Sequence, residues 1–232
     1  MTDNRKAGWA LIVGSTGGVV TMAIHPTGAG TMRLDQVGHL VWVSGIAHTL
    51  ALVSVLLLFL GTCGLTRHLA AKDRIAFAAV VTYGFAAVAV MTAGSVSGWV
   101  IPRILRLMAR DVPTNEGTWR IAVAAIFQIN HAMSGIYSVA AAAAIVLWSA
   151  CCLRQGKLSR GMAMFGCVTS PLIALLIFVG HLRLDVHGMA AVMLSEVIWF
   201  VGMGVGLMRH EEAVSGGINE SGTALGWDSG DI

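Results

Sequence analysis

Three ionisable side chains interrupt otherwise apolar stretches of the chain: His48, His131 and Glu196. Imidazole nitrogens bind haem iron and several transition metals, and a carboxylate can complete a metal site. Each of the three lies about nine to eleven residues inside its apolar stretch, which corresponds to roughly 14–17 Å of helix. We therefore expect these side chains to lie at a similar depth on three helices. An ionisable group inside a membrane span indicates a functional site, because burying it in lipid is costly.

The stretches that carry these residues are long and apolar enough to cross a membrane. Residues 37–65 contain no Lys, Arg, Asp or Glu, and about 20 apolar residues span the hydrocarbon core of a bilayer. Of the 232 residues, 56% are hydrophobic and 12% are charged, whereas a soluble domain has about 25% charged residues. The sequence therefore predicts an all-α integral membrane protein with six transmembrane helices, at residues 8–24, 37–65, 75–100, 121–150, 161–180 and 188–208.

Two further segments and the orientation follow from the charged residues. Residues 101–110 alternate apolar and basic positions at helical spacing, which predicts a short interfacial helix in the loop between the third and fourth spans. Residues 209–232 are acidic and rich in glycine and serine, and predict a flexible tail. The loops on the side of the termini hold nine Lys and Arg residues against six on the other side. The positive-inside rule therefore predicts a protein of the cell's inner membrane with both termini in the cytoplasm.

One interpretation makes His48 and His131 the axial ligands of a haem b between the second and fourth spans. Bis-His ligation suits an electron-transfer haem, since it leaves no open position on the iron. Gly45 and Gly135 lie one helical turn from these histidines and would leave room for a flat macrocycle. Cations for the haem propionates are available in the predicted interfacial helix: Arg103, Arg106 and Arg110. The arrangement resembles that of small cytochrome b membrane proteins in architecture, and implies electron transport with a redox partner.

A second interpretation is a non-haem metal-dependent enzyme. His48, His131 and Glu196 would supply two imidazoles and a carboxylate, a set that suits copper, iron or zinc and that could activate water or dioxygen. Together with Asp185, four histidines near the outer ends of the spans could form another metal site: His25, His39, His181 and His187. In this interpretation the histidine-rich region lies in the outer half of the bundle.

A third interpretation is a non-catalytic subunit or assembly factor of a larger membrane complex. Gly14 and Gly18, like Gly94 and Gly98, are spaced by four residues, which lets two helices approach closely. Such faces would contact other membrane subunits, or would pack within this bundle. The net charge of +3 is too small and too dispersed to indicate a nucleic-acid partner. His68 and His210 lie on the side of the termini, where we expect solvated loop residues.

Overall fold

The computed structural model describes residues 3–25, 37–70, 73–110, 116–156 and 158–222, and the structural statements that follow concern these residues. Their secondary structure is helical. The helices are α1 (Asp3–Ile24), α2 (Val37–Ala70), α3 (Arg74–Ser95), α4 (Ile101–Arg110), α5 (Glu116–Gln155), α6 (Arg160–Phe178) and α7 (Val186–Gly222), with a π-helical turn at Val96–Val100.

Six helices in the described residues are long and apolar enough to cross a membrane, as the sequence predicts, with α3 and α4 counting as one. They pack in a closed ring in which α1 contacts α2, α2 contacts α3, and α3 contacts α5; α5 then contacts α6, α6 contacts α7, and α7 returns to α1. Among the described helices, the first therefore packs against the last.

Most of the helices are longer than the predicted spans, because helical hydrogen bonding continues through polar residues beyond the apolar stretch. Helix α6 instead ends at Phe178, two residues before the end of its predicted span. Helix α2 ends at Ala70 and α5 begins at Glu116. Helix α7 continues to Gly222, so residues 209–222 of the predicted tail are helical. That segment contains helix-favouring Arg, Glu and Ala residues and no proline. The rest of the predicted tail, residues 223–232, lies outside the described residues.

The helix predicted for residues 101–110 is present as α4, but no loop separates it from the third span. The backbone is helical from α3 through the π-helical turn into α4. Proline has no N–H, so Pro102 cannot donate the α-helical hydrogen bond to the carbonyl of Gly98. The preceding N–H, that of Ile101, instead bonds to the carbonyl of Val96, one residue further back than in an α-helix. Pro102 therefore accounts for the π-helical turn.

Hydrogen-bonded caps define several helix starts. Asp73 precedes α3 and accepts a hydrogen bond from the N–H of Ile75 at 3.0 Å. Its other carboxylate oxygen lies 3.3 Å from the Arg154 guanidinium, which ties α3 to the end of α5. Ser159 precedes α6 and accepts from the N–H of Met162 at 3.4 Å. Each side-chain acceptor satisfies a backbone N–H that the helix itself leaves without a partner.

At the level of four buried aromatic residues the centre of the ring is filled. We call this cluster of Tyr83, Trp148, Trp199 and Phe200 the aromatic core. The indoles of Trp148 and Trp199 stack with their ring centres 6.0 Å apart, and Tyr83 meets Phe200 edge-on at 5.6 Å. The cluster therefore connects α3, α5 and α7 across the centre of the ring.

Both indole N–H groups of the aromatic core have hydrogen-bond partners. Trp148 donates to the Thr66 hydroxyl at 3.0 Å, and Trp199 donates to the Ser149 hydroxyl at 3.0 Å. A buried indole N–H without an acceptor would be unfavourable, so these hydroxyls allow two tryptophans to be fully buried.

Candidate functional site

A cavity of about 940 Å³ opens in the ring beyond the aromatic core. Helices α1, α2, α3, α5 and α7 and the connection between α6 and α7 form its wall, and Tyr83 and Phe200 lie at its floor. Its volume is at the upper end of the range for ligand pockets, about 300–1,000 Å³. Most of the lining is apolar, and its ionisable side chains include His25, His48, His131, Arg183, Asp185 and Glu196.

His48 is held rigidly in this wall. Its side chain is 4% exposed, and its Nδ1 lies 2.7 Å from the carbonyl oxygen of Ser44, one turn earlier in α2. A carbonyl only accepts hydrogen bonds, so Nδ1 carries the proton and donates. In the neutral ring, Nε2 then carries the lone pair that can bind a metal or accept a proton. Histidine ligands of metals commonly have this arrangement, with the second nitrogen held by a backbone carbonyl.

The π-helical turn packs directly on the His48 ring. A Cβ atom at Gly98 would lie 2.6 Å from His48 Cγ, so a glycine is needed at this position. The Ser44 hydroxyl donates to the carbonyl of Ser97 at 3.4 Å, and the Ser97 hydroxyl donates to Asn130 Oδ1 at 3.1 Å. The turn therefore joins the His48 segment of α2 to α5. Such π-helical turns occur frequently at functional sites.

His25, at the end of α1, lies against His48 with ring centres 5.1 Å apart and planes inclined by 66°. The sequence places both histidines toward one side of the membrane but does not pair them. The contact joins the end of α1 to the first half of α2, and it places two imidazoles in the wall of one cavity.

His131 and Glu196 line the same cavity from α5 and α7. The three side chains at similar predicted depth thus belong to one cavity wall. Glu196 is 7% exposed and accepts a short hydrogen bond from the hydroxyl of Tyr137, which is itself 3% exposed. Sequence reasoning missed Tyr137. The available signal was a tyrosine six residues after His131 in an apolar span, where a hydroxyl needs a buried partner.

The connection between α6 and α7 places Arg183 and Asp185 at the cavity. Asp185 Oδ1 accepts a hydrogen bond from the N–H of Gly188 at 2.9 Å, and this bond lowers the pKa of the carboxyl. A Cβ atom at Gly188 would lie 2.9 Å from the carbonyl carbon of Arg183. The absence of a side chain at Gly188 therefore lets the backbone of Arg183 pack against the first turn of α7.

Other predicted site residues are not part of this wall. The exposed ones are His39, His181, His187, Arg103 and Arg106, and none of these five lines the cavity. Gly45 lies instead in an outer groove beside Trp42 and Trp99, and Gly135 lies near Leu184. The side chain of Arg110 lies outside the described residues.

Helix geometry explains why His48 lines the cavity and His39 does not. His39 and His48 are nine residues apart, which places them about 180° apart around an ideal helix at 3.6 residues per turn. His48 faces the inside of the ring, so His39 faces outward. The space beside His48 is made by Gly98 on a different helical segment and not by Gly45 on its own helix.

Within the described ranges, no group of three or more His, Cys, Asp or Glu side chains lies close enough together to hold a metal ion. This includes the two predicted metal sets, all of whose residues are described. His39, His181 and His187 do not line the cavity, and Glu196 is hydrogen-bonded to Tyr137. The closest imidazole contact in the cavity is the pair formed by His25 and His48.

Comparison of the chain with models of known protein families, with curated proteins and with solved structures found no match. The chemistry of the cavity side chains is therefore the basis on which a function can be inferred.

Proposed function

We propose that this chain is a membrane-embedded haem b protein that transfers electrons, with His48 and His131 as the axial ligands. The observation that carries the proposal is the 2.7 Å separation between His48 Nδ1 and the carbonyl oxygen of Ser44. The Nδ1 proton of His48 is engaged by the Ser44 carbonyl, which leaves Nε2 as the ligating nitrogen on a large cavity that His131 also lines. Two histidine ligands would leave the iron without an open position, which suits electron transfer and not oxygen activation.

The shape and lining of the cavity support a large, mostly apolar ligand. A haem lies between its two ligands, so the two histidines of such a site line one space from different helices, here α2 and α5. Apolar side chains for the faces of the macrocycle come from Leu52, Phe127, Met189 and Met193. Thioether and aromatic side chains adapt well to a flat aromatic ligand.

Arg183 is the cation best placed for the haem propionates. Arg183, Arg103 and Arg106 are all exposed, but of the three only Arg183 lines the cavity. A guanidinium can bind a carboxylate through two parallel hydrogen bonds, so one arginine at the cavity orients an acidic ligand. The cation predicted from the interfacial helix is thus replaced by one from the connection before α7.

The contact between His25 and His48 favours a second candidate, a non-haem copper, iron or zinc site of a metal-dependent membrane enzyme. With metal–nitrogen bonds of about 2.1 Å and ring centres about 1.1 Å beyond each nitrogen, two imidazoles on a tetrahedral ion have ring centres about 5 Å apart. The two rings are 5.1 Å apart. Two imidazoles alone leave positions for water or substrate.

We further propose that the protein lies in the cell's inner membrane with both termini in the cytoplasm and the cavity towards the outer side. The support is the excess of Lys and Arg, nine against six, on the side of the termini. Fluorescent-protein fusions test this orientation. A cytoplasmic fluorescent protein fused to the C-terminus should fluoresce, and a fusion within residues 26–36 should not. The opposite pattern would reverse the orientation.

A visible spectrum of the detergent-purified protein tests the haem proposal. Oxidised and dithionite-reduced samples should show a Soret band and, on reduction, a sharp α band. His48→Ala and His131→Ala should each lose the haem, whereas His39→Ala, which removes an outward-facing imidazole, should keep it. Full haem content in both cavity variants would contradict the proposal.

If the purified protein shows no haem absorbance, elemental analysis is the next measurement. A non-haem site would hold copper, iron or zinc in the wild type, lose it in His25→Ala and His48→Ala, and keep it in His131→Ala. Neither haem nor metal, together with partner chains that co-purify in fixed ratio, would instead identify a subunit of a larger membrane complex.

A further inference from the structure

A second pair of imidazoles lies at the opposite end of the ring, outside the cavity. His68, in the last turn of α2, meets His210 on α7 with ring centres 5.0 Å apart and planes inclined by 80°. Both side chains are partly buried. They were expected to be solvated loop residues, but both lie within helices, because α2 and α7 extend beyond their apolar stretches.

We propose that His68 and His210 bind a divalent transition-metal ion of the zinc class. Two imidazoles on a tetrahedral ion have ring centres about 5 Å apart, given metal–nitrogen bonds of about 2.1 Å. The observed 5.0 Å fits this separation. Imidazole is a preferred ligand of such ions, and the remaining positions would be taken by water or by oxygen ligands. This proposal does not depend on the function proposed for the cavity.

At this end of the ring, the side-chain amide of Gln155 has a buried oxygen without a described hydrogen-bond donor. The Gln155 Nε2 donates to the carbonyl of Leu69 at 2.9 Å, so the amide is held beside the residue that follows His68. Its Oε1 is buried, and no described residue donates a hydrogen bond to it. A buried carbonyl oxygen without a donor commonly has an ion or a water molecule as its partner.

The charges near the pair permit a cation. Arg67 and Arg209 flank the two histidines in the sequence and would repel it. Both are exposed, and Arg67 lies 3.1 Å from the carboxylate of Asp3. Exposed charges are strongly screened by water and salt, whereas a bond between imidazole and metal forms at contact.

An ion bound between His68 and His210 would connect two helices of the ring. Helix α1 packs against both α2 and α7. The first turns of α1 are in close contact with these helices, since a Cβ atom at Gly8 would lie 2.7 Å from Met208 Cγ on α7. An ion between His68 and His210 would therefore link α2 to α7 beside the start of α1. Binding to the folded state alone would then stabilise the ring.

Zinc is the probe for this site. The purified full-length protein, stripped with a chelator, is dialysed against zinc and the bound metal is measured by elemental analysis. His68→Gln and His210→Gln, which keep a polar side chain of similar size, should each hold one zinc ion fewer per chain than the wild type. His39→Gln, at an exposed position, is the matched control and should hold as much zinc as the wild type.

Thermal unfolding gives an independent measurement on the same samples. Zinc should raise the melting midpoint of the wild type and of His39→Gln, but should not raise that of either pair variant. The midpoints in chelator establish that each variant is folded before zinc is added. Zinc content and zinc-induced shifts equal to those of the wild type in both pair variants would overturn the proposal.

Discussion

The aromatic core and the cavity occupy the same ring of helices but differ in what fills its centre. At the aromatic core, large rings meet across the ring, and alanines let the surrounding helices approach: Ala79, Ala86, Ala141 and Ala144. At the cavity, the same helices carry histidines and small polar residues, and the centre stays open. The comparison shows that tightly packed aromatic side chains occupy one half of the ring, whereas ionisable and small polar side chains surround an open space in the other half.

Removing an indole from the aromatic core should have the largest effect on stability. Trp148→Ala removes the stacking with Trp199 and leaves the Thr66 hydroxyl without its donor. We expect the free energy of unfolding to fall by about 3–5 kcal/mol, the usual range for a buried aromatic. Unfolding in mixed detergent micelles measures it.

The matched control is Trp42→Ala, because Trp42 is 72% exposed on the outer surface. It should change the free energy of unfolding by much less. Equal losses in the two variants would contradict the assignment of packing free energy to the aromatic core.

A side chain at Gly98, beside His48, should lower both the stability of the protein and the content of the proposed cofactor. In Gly98→Ala the new methyl group would overlap the imidazole, so the ring must move away from the Ser44 carbonyl. We expect a loss of about 1–3 kcal/mol from overpacking, together with loss of the bound cofactor in the visible spectrum or the elemental analysis.

Gly45→Ala provides the comparison on α2, since a Cβ atom there meets nothing within 4 Å. It should keep the cofactor and leave stability unchanged or slightly higher, because alanine favours a helix over glycine. Cofactor retention in Gly98→Ala would show that the orientation of His48 is not critical.

The hydrogen bond between Tyr137 and Glu196 lies near the boundary between the two regions. Tyr137→Phe, Glu196→Gln and the double variant form a double-mutant cycle. We expect a coupling energy of about 0.5–2 kcal/mol, as for hydrogen-bonded pairs in membrane proteins. A coupling energy near zero, measured by unfolding in mixed micelles, would mean that the two side chains act independently.

The smallest effect is expected at the rim of the cavity, at Asp185. Its pKa is lowered by the N–H of Gly188, so its stabilising contribution is present above the ordinary carboxyl pKa, about 3.9. The contribution is lost as the pH falls through the lower folded-state value. Asp185→Ala should therefore lower the melting midpoint at pH 7, and the difference from wild type should shrink below pH 3.

Asp185→Asn retains an acceptor oxygen and should lie between the wild type and Asp185→Ala at pH 7. A difference between wild type and Asp185→Ala that does not change with pH would show that the charge of Asp185 is not involved.

The number and order of the six long apolar helices could be predicted from the sequence, because each apolar stretch is by itself long enough to cross a bilayer. The helix ends could not, since hydropathy changes before helical hydrogen bonding stops, as in α2 and α7. The π-helical turn follows from Pro102, which has no N–H to donate to the α-helical hydrogen bond.

The pairing of side chains was the least predictable part of the site. Counting residues along each helix predicted a common depth for His48, His131 and Glu196, and all three line one cavity. The contacts of His48 with His25 and of His68 with His210 depend on how helices rotate about their axes. The sequence pattern does not determine that rotation, so neither contact was predicted.

The contact between α1 and α7 also constrains the order of assembly. Helix α1 is synthesised before the other described helices, yet one of its two neighbours in the ring is α7, the last of them. During translation the flank of α1 that will meet α7 must therefore remain without this partner until α7 has been synthesised. A chain that stops before residue 186 would lack α7, so this flank of α1 would have no partner and the cavity would not be enclosed.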